Sequence, residues 1–209
     1  MTHPFSTLAQ KIISEISLID DILELSLVVS DKFSSQEKNY RLAIRNRIFE
    51  LHSSELSSED LFSLQNLNAP PRLKEKFVSI SHCQSLGGFV LSSQSVGFDI
   101  EEISRIKSDI IQRVSNEMEI KSVPQLFYMW PAKESAFKAL SLHQPLINQS
   151  KPVAISDIHI QNWKEIKSNF GSFFSFDAFH SQNLSLKQGH GYIFHDLAHI
   201  SSIFFTDLT

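Results

Sequence analysis

The chain is poor in the residues from which many small sites are built. Of 209 residues, one is cysteine (Cys83) and six are glycine. A single cysteine excludes an internal disulfide framework and a cysteine-rich zinc module, and it fits a reducing cytosol. With so few glycines and no glycine-rich run, a phosphate-cradling loop of the P-loop kind is excluded. No stretch of about 18 apolar residues occurs, so no membrane span is expected. The opening residues, MTHPFSTLAQKIISEISLID, lack both a charged leader and a continuous apolar run, so no secretory signal is expected. Positive charge is also scarce. Nineteen Lys and Arg against 23 Asp and Glu leave a net charge of -4, which argues against a nucleic-acid partner. A local basic pocket for one phosphate stays compatible with that balance. The expected setting is cytoplasmic, with neither membrane nor nucleic acid as partner.

What is present suits a real core. Hydrophobic residues make up 42% of the chain, and Phe occurs 17 times, read here as core filling. Residues 5–19 carry Leu8, Ile12, Ile13 and Ile16 at helical spacing. The run 22–29 reads as a strand with Leu23, Leu25 and Leu27 on one face. Ser34 with Glu37 has the form of a capping box opening a helix to about His52, and Ser57 with Asp60 opens a shorter one through Leu64. Strands are expected at 77–81, 87–93 and 95–100, and helices over 106–114 and most of 124–141. Further strands are expected at 153–160, 173–179, 191–197 and 199–205. Helix and strand blocks recur in each half, which predicts an α+β fold of two lobes, 1–97 and 98–209.

Three features carry chemistry. In VGFDIE, Asp99 and Glu101 share one face of a strand, where two carboxylates repel unless a cation lies between them. In WPAKESAFKAL, Glu134 and Lys138 stand four apart on one helix face. In SISHC, a strand ends on Ser81 and His82. Each has an ordinary reading: solvated charges, an exposed ion pair, a strand-end histidine. Together, Asp99, Glu101 and Glu134 form an all-oxygen donor set suited to Mg²⁺, which keeps waters and completes its shell with substrate phosphates. Lys138 and His82 then read as phosphate partners in a phosphoryl-type transfer.

VGFDIE followed by WPAKESAFKA, with SISHC ahead of both, resembles the paired signatures of the 4'-phosphopantetheinyl transferases. Ser81 and His82 precede the aspartate by about 17 residues, and the lysine-glutamate motif follows it by about 35. The strong likeness covers roughly 79–140, and the length is similar to the larger single-chain type that serves peptide and polyketide synthases. The resemblance implies two pseudo-symmetric lobes, each a small, mainly antiparallel sheet packed with helices, acting as a monomer. It implies Mg²⁺ on Asp99, Glu101 and Glu134, and coenzyme A as donor to a serine of an acyl, peptidyl or aryl carrier protein, releasing 3',5'-ADP. Glu134, Lys138 and His82 take the catalytic roles, with Glu134 as base, directly or through a metal-bound water. Arg41, Ser81, His82, Lys133 and Lys138 bind coenzyme A, and Glu119 supports the site. Lys32 and Arg45 are further candidates for the 3'-phosphate. Pro131 inside the motif helix should remove a hydrogen bond and bend it.

Carrier contact is expected at 138–151, through Leu142, Leu146 and Ile147 between Lys138 and Lys151. His190, His195 and His199 with Asp196 lack a helical zinc face. Cys83 and His82, adjacent in one strand, point to opposite faces, which argues against a thiol dyad. The rival readings are a non-catalytic paralogue that binds coenzyme A or a carrier, and a metal-dependent phosphodiesterase or nuclease. The latter would want a basic groove that the charge balance does not favour.

Overall fold

A computed structural model describes residues 3–19, 24–68, 70–141, 154–181 and 183–207, with side chains undescribed at 183–186. It is α+β, with two antiparallel sheets and, among the described residues, six α-helices. No described helix is long and apolar enough to cross a membrane. The chain divides into two compact units, Met1–Ser95 and Val96–Thr209. The expected boundary at 97/98 would have cut a strand; the division falls just ahead of it.

The first unit holds α1 (Pro4–Ile19), β1 (Leu25–Ser30), α2 (Tyr40–His52), α3 (Ser58–Gln65), β2 (Phe77–His82) and β3 (Gly87–Ser92). Its sheet runs β1-β3-β2, with Leu27 opposite Val90 and Ile80 opposite Phe89. Central β3 is buried along its whole length. α1 buries Phe5, Ala9, Ile12, Ile13 and Ile16 and packs on β1. Under α2, Ile44 and Ile48 meet Phe33, Leu64, Phe89 and Leu91.

Two local expectations change here. Ser34 does not start a helix: a 3-10 turn occupies Asp31–Phe33, and α2 begins only at Tyr40. The Ser57–Asp60 box does form, with each side chain capping the other's backbone N–H. Of the expected face Leu23, Leu25 and Leu27, Leu23 lies outside the described residues. The buried residues of β1 are Leu27 and Val29.

The second unit holds β4 (Val96–Glu102), α4 (Ser108–Val114), α5 (Glu117–Ser122), α6 (Met129–Leu140), β5 (Ile158–Ser168), β6 (Gly171–His180), β7 (Asn183–His195) and β8 (His199–Thr206). β5 to β8 form a meander and β4 closes on β8, giving the order β4-β8-β7-β6-β5. The sheets are therefore unequal, three strands against five.

β5 runs eight residues past its expected end. Its second half alternates with Lys and Glu, and its register shifts between Gln161 and Lys164, where Asn162 sits at φ 58. That bulge breaks the period-two pattern by which the strand would be recognised. α5, six residues long, is too short to show a helical period in its sequence. α6 begins at Met129 after a 3-10 turn at Leu126–Tyr128. Pro131 thus falls in the first helical turn, where backbone N–H groups have no intrahelical acceptor. The expected bend has no cause there.

Candidate functional site

The site begins with how closely α6 approaches β4. A Cβ on Gly97 would stand 1.9 Å from the Ser135 carbonyl oxygen and 2.9 Å from the Ala139 nitrogen. Only glycine allows this contact. Ala132, Ala136 and Ala139 keep the same helix face thin, and Ser135 Oγ meets Ser202 Oγ at 2.7 Å on the neighbouring β8.

Strand alternation then turns Asp99 and Glu101 the same way as Gly97. Trp130, Glu134 and Lys138 recur every four residues along one side of α6. Lys138 Nζ lies 2.7 Å from Asp99 Oδ1 and donates at 3.0 Å to the Phe98 carbonyl. Trp130 Nε1 donates to Glu101 Oε1 at 3.0 Å. Asp99 and Glu101 thus each meet a side chain of α6.

The electrostatics of this face are crowded. Burial and the charge of Asp99 push the Glu101 carboxyl up to about 7, against the Trp130 hydrogen bond and Lys138, with Glu134 adding to the rise. Glu134 is raised by burial and then by Asp99, against Lys138. Three carboxylates against one ammonium leave two negative charges uncompensated when all are ionised, which a divalent cation would balance. The donors are all hard oxygens, the set Mg²⁺ takes. Their oxygens do not all lie within 4.8 Å of one another. Such an open set suits an ion that keeps waters and substrate oxygens. The residues present fit Mg²⁺.

Lys133 requires a correction. Its side chain is fully buried, its Nζ 2.8 Å from Glu119 Oε1 and donating at 2.6 Å to the Ile158 carbonyl. An ammonium committed to the interior in this way does not reach a nucleotide phosphate. Glu119, its partner, belongs to α5. It is N3 of an α5 capping box with Asn116, and it accepts from the Ile160 N–H at 2.8 Å.

In the first unit, His82 and Arg41 meet through a residue the sequence reading passed over. The Tyr40 ring stands 4.4 Å from that of His82, edge to face, and its hydroxyl accepts from Arg41 Nε at 3.1 Å. Arg41 is exposed. Arg45 is instead buried, donating to the Ser63 and Leu64 carbonyls at the end of α3, and is no phosphate candidate. Ser81 and Ser79 form the buried face of β2, whereas Val78 and Ile80 pack toward the α2 core. The alternation that separates His82 from Cys83 separates it from Ser81 as well.

Tyr40 and Trp130 did carry a sequence signal. One is the aromatic beside Arg41, the other stands one helical turn before Glu134. The proposed carrier contacts Leu142, Leu146 and Ile147 lie outside the described residues. His195 and His199 flank the β7–β8 turn around Asp196, while His190 pairs with Asp207 five residues up the strand. The three histidines do not share one turn.

Compared with protein-family models and with curated proteins, the chain matches none.

Proposed function

We propose that the protein transfers the 4'-phosphopantetheine group of coenzyme A to a serine of an apo acyl, peptidyl or aryl carrier protein, acting as a monomer on the fold of that transferase family. The observation that carries this reading is the β4–α6 face. Asp99 is held by Lys138, with Glu101 and Glu134 beside it on a unit whose helix and strand touch at Gly97. Asp99, Glu101 and Glu134 would hold Mg²⁺, which when bound offsets charge on the pyrophosphate.

The chain's own residues supply the rest. Glu134, whose carboxyl burial and then Asp99 raise above its ordinary value, takes the proton of the carrier serine, directly or through a water. The serine oxygen forms a bond to the β-phosphorus of coenzyme A. The bond to the bridging oxygen breaks, and 3',5'-ADP leaves with that electron pair. Lys138 keeps 28% of its side chain exposed, so its charge can act on the pyrophosphate as this happens. In the first unit, Arg41, whose Nε donates to the Tyr40 hydroxyl, and His82 are the candidates for a phosphate.

The test is to incubate the protein with Mg²⁺, coenzyme A and apo carriers of each type, then weigh the carriers. One phosphopantetheine added per carrier, with matching 3',5'-ADP and complete loss in excess chelator, is the expected result. Unmodified carriers throughout would overturn the reading, and tight coenzyme A binding beside them would mark a non-catalytic binder.

A further inference from the structure

The buried face of α6 carries Ala132, Ala136 and Ala139 along its length, beside Met129, Leu140 and the Ser135–Ser202 contact, and its alanines set how near the helix may come more than they fix its rotation. Two lysines supply what the alanines lack. β4 and β5 are the two edge strands of the five-stranded sheet, and α6 touches both. Lys138 Nζ binds the Phe98 carbonyl of β4 and Asp99 beside it. Lys133 Nζ binds the Ile158 carbonyl of β5 and, through Glu119, the start of α5. Five residues at about 100° each put Lys133 about 140° round the helix from Lys138, so the two attachments grip α6 from different sides.

The Lys133 attachment is completely enclosed. Lys133 is 0% exposed and Glu119 1%. Glu119 Oε1 accepts from Lys133 and from the Ile160 N–H, while Oε2 accepts from the Asn116 N–H at 2.9 Å and faces His159 Nδ1 at 3.5 Å. A buried ion pair is costly beside an apolar pair of equal volume, so its worth lies in direction rather than in stability. We propose that Lys133 and Glu119 are positioning residues. Their pair sets the rotation of α6, and thereby the seat of Trp130, Glu134 and Lys138 against Glu101 and Asp99. Because Lys133 adjoins Glu134 in the chain, a turn of the helix about its axis moves both together.

The experiment compares Lys133→Met, Glu119→Gln and the double variant. Lys133→Met strands a buried carboxylate and should melt lower by about 10 °C or more. The double variant removes both charges and should recover most of that loss. Recovery of stability should not restore the site. The Trp130 indole N–H resonance, reporting its bond to Glu101, should stay shifted from wild type in both the double variant and Glu119→Gln. The transfer arm rests on the function proposed above. There, kcat should fall about a hundredfold, with a smaller rise in KM for coenzyme A as Lys138 shifts, as expected when reacting groups are displaced by a fraction of a turn. A double variant that regains both its melting temperature and the wild-type Trp130 resonance would overturn the proposal, since the pair would then be structural only. Should the double variant not fold, Glu119→Gln decides in the same way. If the wild type transfers nothing, the resonance alone decides, and the proposed function fails separately.

Discussion

The two units bury charged side chains for different ends. In the first, Arg45 and Asp60 each finish a helix: Arg45 takes the last carbonyls of α3, and Asp60 caps its start. Both meet mostly backbone groups, whose partial charges they complement. In the second, Asp99, Glu101 and Glu134 face one another and Lys138, and Glu119 faces Lys133. A unit that needed only to fold could use the first arrangement throughout. The second crowds like charges and pushes carboxyls upward, and such sites concentrate where charge has work to do on a ligand.

The sharpest break of this contrast is Asp99→Asn. Transfer should fall by about 3–4 kcal/mol of barrier, measured by single-turnover assay with Mg²⁺. Melting in chelator should change little, because the lost bond to Lys138 is offset by less repulsion on Glu101 and Glu134. A much lower melting point with normal transfer would make Asp99 structural, like Asp60.

Next in size are two glycines, one in each unit. A Cβ on Gly97 meets the Ser135 carbonyl at 1.9 Å, and one on Gly87 meets the Phe33 carbonyl at 2.0 Å. Each change to alanine should cost about 3 kcal/mol in urea unfolding, the upper end for overpacking. Only Gly97→Ala should also displace Trp130 from Glu101, read in the indole resonance. Equal displacement by Gly87→Ala would dissolve the distinction.

The units should also answer pH with opposite signs. Glu101 is raised from 4.5 to about 7, so the native state holds a proton that the unfolded chain has released. Stability from this source is complete below about pH 4.5 and falls as pH rises through about 7. Asp60 is lowered from 3.8: burial opposes the shift, but hydrogen bonds from Ser57 and Lys74 outweigh it. Its contribution is present above pH 3.8 and lost as pH falls. Urea midpoints across this range should slope downward between pH 5 and 7, and Glu101→Gln should flatten that slope. A flat wild-type profile would contradict the crowding.

The smallest effect belongs to the caps. Ser57→Ala removes an N-cap and should cost about 1 kcal/mol in urea unfolding. Asn116→Ala should cost more, because the α5 cap shares Glu119 with Lys133. Equal costs would mean that the two boxes are interchangeable.

Much of this was legible in the residues alone. Strand-like apolar runs marked β2, β3 and β4, the Ser57–Asp60 pair marked α3, and alternation put Asp99 and Glu101 on one face. Spacing likewise put Glu134 and Lys138 on one side of α6. These are local facts, set by backbone geometry over a few residues. Tertiary structure decided the partners. Nothing in WPAKESAFKAL says that its first lysine is sealed against Glu119 while its second reaches Asp99. Nor does it say that Pro131 falls in the first turn, because the start of α6 follows from the 3-10 turn before it. Which lysine is buried depends on which side of the helix meets β5 and which meets β4, strands lying tens of residues apart in the chain. A side chain's charge is written in its sequence, but the free energy of that charge depends on what surrounds it, and only the packed chain supplies those surroundings.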